Sequence, residues 1–528
     1  MFFPTRFRLP MCIAFAFVAT HNHFVLDRGG KIFNRSAPMI RLAADATEER
    51  YLALVGLLNS SIAGFWGRQT LFPKGGLSAG KWEERLEWDA AKLKQFPLSG
   101  KAPVELARRI ESLAQHLSRM VPAEVARREV PAHDRLTKKR ADYEATRRGM
   151  ISLQEELDWE CYRLYGLIQE EPTMPEYDAP EINLGERAFE IILARQMAAG
   201  ELETAWFERH GSTPITEIPA HWPLAYRTLV ERRIKMIEAD PSIALIERPE
   251  YKRRWNTEPW EQQLNRALRG WLLDRLEDRR YWPELALTSC AELTHRVATD
   301  AEFMQVAELY RGTGGFDVLA LVTELAESES VPYLPQMRYK SSGMGKRLLW
   351  ERTWELQRRE DEIDARTNLP PSDPNYLKPD AAAALKRKEI GDIPVPPKYK
   401  SADFIRGDYW RLRGALDVPK ERFVSYPGCE RRTDDSLVLA WAGWNRLQQA
   451  RAIAAFYVSA RDEQGWSNEK LAPLIEGLLE LLPWLKQWHN EIDPEYNQRM
   501  GDFFESFIDQ ELHRLGLTRE GGEIRGAQ

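Results

Sequence analysis

Cysteine is scarce in these 528 residues: four of them, Cys12, Cys161, Cys290 and Cys429, lie far apart with no C-x-x-C. That spacing supports neither a zinc cluster nor a disulfide framework, and it fits a reducing, cytoplasmic setting. Long apolar runs are lacking too, since none reaches the roughly 18 residues that a membrane-spanning helix needs. The head comes nearest to a targeting segment, with Arg6 and Arg8 ahead of the apolar Met11 to Ala19. A strand-like run from Phe15 to Phe24 overlaps it, however, and cleavage there would destroy that strand. Positive charge is not in surplus, for 74 Lys and Arg face 80 Asp and Glu, a net charge of -6. Phosphate binding must then come from local basic patches. No internal repeat is present.

What the chain does have is aromatic surface, with 18 Trp, 20 Phe and 17 Tyr, in a composition 43% hydrophobic and 29% charged. At about 150 residues per domain the length suggests roughly three domains, each able to bury a sizeable core. Composition shifts divide it into a β-hairpin and helix unit at 1–100, a helical hairpin at 101–175, a helical domain at 176–330, and a Trp-rich, mainly helical domain at 331–528 with a proline-rich connector at 369–397. The expected class is α+β, predominantly α-helical.

The opening unit organises the rest. Ala16 to Leu26 and Lys31 to Leu42 are strand-like runs separated by Asp27-Arg-Gly-Gly30, which predicts a hairpin because glycine takes the positive φ that tight turns need. Thr47 to Trp66 switches to helical spacing through Leu52, Val55, Leu58, Ile62 and Phe65. A glycine-containing loop, Phe72 to Gly80, follows. Helices are predicted over Pro103 to Met120 and Asp134 to Ile168, packed back on each other. In the second, Leu153, Leu157, Cys161, Leu164 and Ile168 form the apolar stripe, which leaves the acidic run Glu155, Glu156, Asp158 and Glu160 as a solvated face. Glu171 to Pro180, with three prolines, marks a boundary. Near the end, Leu437, Trp441, Trp444 and Leu447 fall on one face of a helix capped by Thr433 or Asp434. The tail from Gly521 to Gln528 is expected to lack fixed structure.

Several phrases of this sequence carry a family likeness. Val18-Ala-Thr-His-Asn-His-Phe-Val-Leu-Asp-Arg-Gly-Gly30, followed by a helix ending Leu57-Leu-Asn-Ser-Ser61, resembles the target-recognition region of adenine-specific DNA methyltransferases. It is most similar to the PglX methyltransferases of bacteriophage exclusion (BREX) systems, type 2 branch. Glu155 to Leu167, Val395 to Tyr399, Trp410 to Gly414, Leu416 to Gly428, Trp441 to Trp444 and Leu482 to Asn490 resemble the same family, so the likeness runs from about Phe15 to about Leu517. It implies double-stranded DNA as partner, S-adenosylmethionine as the cofactor of the full-length family, and company with other phage-defence proteins but no membrane.

The family's chemistry requires a flipped adenine whose amine is held by an Asn or Asp beside a proline-flanked carbonyl and whose ring is stacked on an aromatic, written [Asn/Asp]-Pro-Pro-[Tyr/Phe]. These residues contain no such motif. Leu369-Pro-Pro-Ser and Val395-Pro-Pro-Lys lack both acceptor and ring and are read as polyproline-like connectors. Gly312-Thr-Gly-Gly315 sits between helical patterns, not after a strand, so no cofactor loop is assigned. Gly343-Met-Gly-Lys346 lacks the first glycine and the lead-in strand of a phosphate loop. His21 and His23 share a strand face but have no third metal ligand nearby. No catalytic, cofactor or metal residue is therefore assigned, and the expectation is a recognition and carboxy-terminal portion that methylates only with a separately supplied catalytic half. The alternative is a non-catalytic helical scaffold that docks other phage-defence proteins.

Candidate DNA contacts remain. Arg28 and Lys31 flank the predicted turn, with Arg35 after it and Lys74 in the glycine loop, where Arg and Lys can reach phosphates and base edges. Two further patches mix cations with aromatics, Arg338, Lys340, Lys346 and Arg347 beside Tyr339, and Lys398, Lys400, Arg406, Arg411 and Arg413 beside Tyr399 and Trp410. Phosphate neutralisation next to stacking surfaces suits nucleic acid. The bland reading is interdomain salt bridges and core aromatics.

Overall fold

A computed structural model describes residues 11–29, 31, 33–74, 83–169, 173–174, 179–414, 420–520 and 523–526. The chain forms two compact units, Met1–Ala267 and Leu268–Gln528. Both are mainly helical with small sheets, the α+β class that the patterning predicts. Among the described residues no helix is long and apolar enough to cross a membrane. The glycine-containing loop lies outside the described residues from Gly75 onward, as does most of the boundary stretch Glu171 to Pro180.

In the first unit a three-stranded sheet runs in the order β2 (Phe24–Asp27), β1 (Cys12–Phe15), β3 (Met39–Ile40). β1 is antiparallel to both neighbours, with Cys12 opposite Asp27 and Ile13 opposite Ile40. This corrects the predicted hairpin. The two runs flanking Asp27 to Gly30 do not pair with each other, because β1 lies between them. The reversal falls earlier, at the His-Asn-His step, and buried amides explain why. Asn22 Nδ2 donates to Leu58 O and Ser60 O, both at 2.9 Å, while Asn59 receives Phe24 N at 2.9 Å and donates to Phe24 O at 2.8 Å. The same joint splits the predicted Thr47 to Trp66 helix into Glu48–Leu58 and Ser61–Thr70, with the Ser60 side chain capping Ala63 N. A serine at that position satisfies an amide that the new helix leaves without a partner.

The helices Val104–Ser118 and His133–Leu164 follow as predicted. The latter is buried nearly all round from Met150 to Tyr162. One large core gathers Ile13, Phe24, Leu52, Ile62, Leu157, Trp159, Ile191 and Ile234 from the sheet and the surrounding helices.

The second unit holds a four-stranded sheet in the order β4 (Thr288–Ser289), β7 (Val438–Trp441), β6 (Phe423–Ser425), β5 (Ser330–Pro332), with β5 and β6 parallel and the other pairs antiparallel. Val438 to Trp441 is thus a strand and not the predicted helix. Its β-branched and apolar residues are paired on both edges, and the helix that follows starts at Arg446 behind an Asn445 cap. The helices Arg446–Asp462, Asn468–Trp488 and Met500–Leu515 complete the unit around Ile453, Leu474, Leu478, Leu482 and Ile508. Inside the proline-rich connector the structure adds a helix, Pro379–Glu389, whose first residue is the proline suited to that position. Of the tail expected to lack fixed structure, Glu523–Gly526 pairs as a strand with Leu517–Glu520, while residues 521–522 and 527–528 lie outside the described residues.

Candidate nucleic-acid interface

The two basic patches of the second unit, some sixty residues apart in sequence, fold into one. The helix Ser341–Thr367 begins against the segment around Asp403, so closely that a Cβ on Gly343 would overlap Asp403 O. Gly343 is therefore a packing glycine. Lys346 Nζ reaches Asp403 Oδ2 at 2.6 Å and donates to Lys398 O at 3.1 Å, and Trp350 Nε1 donates to Pro397 O at 2.8 Å. Burial raises the Asp403 pKa, but bonds from Lys346, Lys400 N and Ser342 outweigh it and hold the carboxyl below its ordinary value. Above this joint the rings of Tyr339 and Tyr399 stack at 5.3 Å, Trp350 lies parallel to Tyr399 at 6.4 Å, and Phe404 closes against both tyrosines. Lys340, Lys398 and Lys400 are exposed at its edge, and no ion pair holds any of them among the described residues. Three exposed cations beside a stacked aromatic platform can meet successive phosphates.

The other candidates divide by partner. Arg28 is held by Glu48 at 2.6 Å and Glu111 at 2.7 Å, Lys74 by Glu87 at 2.8 Å, and Arg347 by Glu480 at 2.5 Å and by Glu351. Arg413 is locked on Glu421, and Arg411 leans on Glu329 at 3.4 Å. Arg406 lies 3.7 Å from Asp408 and over the Tyr409 ring. Lys31 is 73% exposed with Asp27 at 3.7 Å, and Arg35 is exposed with no ion pair among the described residues. Structural ion pairs thus occupy most of the arginines together with Lys74 and Lys346, while Lys340, Lys398, Lys400 and Arg35 are exposed with no ion pair among the described residues.

The acidic run is where sequence reasoning fails. Glu155, Glu156 and Asp158 are 2%, 0% and 1% exposed, not a solvated face. Lys252, fully buried, places Nζ 2.8 Å from Glu247, 3.0 Å from Asp158 and 3.6 Å from Glu155. Arg233 holds Glu156 at 2.6 Å, Arg187 holds Glu190 at 2.8 Å, and Trp206 Nε1 donates to Glu190 at 3.0 Å. Tyr162 donates to Glu247 at 2.5 Å, and Ser61 gives both its amide and its hydroxyl to Asp158. Glu155 accepts no hydrogen bond at either oxygen. Withdrawal from water pushes its pKa up to about 7, opposed by Lys252. Burial pulls Lys252 down, yet Asp158, Glu155 and Glu247 together raise it, so it is fully charged at neutral pH. One signal of this burial stands in the sequence, for the acids are interleaved with Leu157, Trp159, Cys161 and Tyr162 and leave the helix no polar face. Only Glu160, paired with Arg163 at 2.6 Å, looks outward.

The pattern of one protein family, described as a domain of unknown function (DUF7008), matches residues 150–523. The chain belongs to that family. The DUF7008 match thus begins in the buried acidic helix and takes in the whole lysine-edged platform. The chain is also similar to "Adenine-specific methyltransferase PglX" of Streptomyces coelicolor, 46% identical over 529 aligned residues that cover 97% of this chain and 42% of that protein. It therefore spans less than half the length of this curated relative. No solved structure matches the chain.

Proposed function

We propose that this chain is the DNA target-recognition and carboxy-terminal portion of a site-specific adenine-N6 DNA methyltransferase of a phage-defence system of the BREX type, working in the cytoplasm. The 46% identity to a relative named as an adenine-specific methyltransferase carries the reading. Methyl transfer from S-adenosylmethionine needs an amide acceptor and a stacking ring for the adenine, and no [Asn/Asp]-Pro-Pro-[Tyr/Phe] occurs in these residues. The catalytic half and the cofactor site then belong to another segment or polypeptide, and this chain contributes DNA binding. The exposed Lys340, Lys398 and Lys400 beside the Tyr339 and Tyr399 stack support that division of labour. The test is labelled methyl incorporation into duplex DNA by the purified chain, alone and with the catalytic half added back. Transfer only in the second case is expected, and transfer by the chain alone would overturn the reading.

A scaffold role that docks other defence proteins has one observation in its favour. Trp488, Ile492, Tyr496 and Phe503, at the end of the second unit, are between 42% and 65% exposed. Large apolar groups left in water near one another mark surfaces that bind partners.

A further inference from the structure

Positive charge in the first unit gathers at the turn end of its helical hairpin. From Arg119 to Arg140 seven Lys and Arg face only three acids, Glu124, Glu129 and Asp134, in a chain whose net charge is -6. This stretch joins the helices Val104–Ser118 and His133–Leu164, which pack along each other, through the short helix Pro122–Arg128. Its apolar residues turn inward. Met120, Val125 and Leu136 are buried, and Met120 packs with Tyr143 and Trp260. The cations are left outside, with the side chains of Arg127, Arg128 and Arg135 68%, 52% and 63% exposed.

The surplus survives folding. Glu124 serves two guanidiniums, Arg127 at 2.7 Å and Arg128 at 2.6 Å, so one positive charge there is left over. Glu129 is paired with Arg135, which stitches the end of the short helix to the start of the long one. Arg140 leans away, to Glu144 at 3.2 Å and Glu261 at 2.7 Å. Arg119, Lys138 and Lys139 have no ion pair among the described residues, and Asp134 and Asp142, one turn to either side of Lys138, hold none of them. Arg135, Lys138 and Lys139 stand at i, i+3 and i+4 and so share one helix face.

The chemistry of this surface selects its ligand. Among the described residues no large apolar side chain between Leu98 and Leu167 is exposed. A bilayer-bound helix needs such a side chain as its anchor, and a protein interface needs several at its centre. Phe, Trp and Tyr are absent from residues 119–140, so no ring is offered to stack the bases of a single strand. An array of cations alone is the complement of a paired polyanion, whose bases are already stacked on one another. We propose that residues 119–140 form a second DNA contact, in which Arg119, Arg127, Arg128, Arg135, Lys138 and Lys139 grip the phosphate backbone of a duplex. It is a site additional to the lysine-edged platform and rests on the function proposed above for the identity of its partner. Contacts of this kind fix orientation on the duplex and carry no sequence information.

Equilibrium binding of the full chain to labelled duplex DNA across a salt series tests the tip. Each cation–phosphate contact contributes about 0.9 to the logarithmic salt slope. Arg119→Gln/Lys138→Gln/Lys139→Gln removes cations that have no ion pair to break. This triple variant is expected to melt as wild type does and to lose about two to three units of slope, equally on unrelated duplex sequences. Arg119→Lys/Lys138→Arg/Lys139→Arg keeps the charge and is expected to keep the slope. Glu124→Gln acts in the opposite direction, since it frees Arg127 and Arg128, and is expected to tighten binding and steepen the slope; it decides the matter if the triple variant melts early. Wild-type slope and affinity in the folded triple variant, or in Glu124→Gln, would overturn the tip and leave the proposed function standing. Loss of binding to phosphatidylserine vesicles in the triple variant, with duplex binding unmoved, would overturn it in favour of a membrane surface. If the wild-type chain binds no duplex at all, the proposed function falls and the tip falls with it.

Discussion

Replacing Lys252 by Met is the perturbation that the buried network makes most legible. Methionine keeps the length and volume of the side chain but removes the cation that lies within 3.6 Å of each of Glu155, Asp158 and Glu247. Replacing both members of a buried ion pair by apolar groups is often harmless. Removing one partner costs about 3–5 kcal/mol, because the other charge stays buried without compensation. Here three carboxylates are left facing one another, which places the loss at the upper end, about 4–5 kcal/mol out of a total of roughly 5–15. At about 2–4 °C per kcal/mol for a unit of this size, thermal unfolding at pH 8 should move down by roughly 10–20 °C. Tryptophan fluorescence reads the change directly, since Trp159 lies on the same buried helix. Adding Glu247→Gln and Asp158→Asn should restore part of the loss. A single variant within about 1 kcal/mol of wild type would show that the network is not the electrostatic keystone described here.

Glu155→Gln should act in the opposite direction and with a pH signature. Glu155 is raised to about 7 from an ordinary 4.5, so the folded state holds the proton more tightly than the unfolded one, and stability is lost as pH climbs from 4.5 through 7. At pH 8 that difference approaches about 3 kcal/mol at 1.36 kcal/mol per unit, so the variant should be more stable than wild type at pH 8 and flatter between pH 5 and 8 in urea denaturation. Reversing Lys340, Lys398 and Lys400 to Glu should weaken DNA binding and lower the salt slope by about three, with the melting temperature within a few degrees of wild type. An unchanged slope removes the platform as a DNA contact. Gly64→Ala forces a methyl against Tyr251 O and should destabilise the first unit by about 1–3 kcal/mol in thermal melts.

Periodicity made the long elements readable. The helices at 104–118 and 133–164 stand where the apolar spacing placed them, and the α+β class followed from short strand-like runs among long helices. What misled was chemistry at a distance. Asp27-Arg-Gly-Gly30 has the composition of a hairpin turn, but the reversal was taken by Asn22 and Asn59, whose amides pair with main-chain atoms more than thirty residues away. Glu155, Glu156 and Asp158 looked solvated because a charge run usually is, and nothing local announces Lys252 and Arg233 as partners some eighty or more residues on. Most of the arginines chosen as DNA contacts met carboxylates for the same reason, since a cation in sequence carries no sign of what folds against it. Val438 to Trp441 is short enough for helical and strand spacing to look alike, and only its pairing with Thr288–Ser289 and Phe423–Ser425 decides.

The most direct measurement is equilibrium binding of the purified 528-residue chain to duplex DNA as salt is raised. Binding at low salt that weakens along a straight logarithmic line, with a slope of several units, is the result that a backbone-gripping recognition arm predicts. No binding at low salt, or an affinity indifferent to salt, would contradict it.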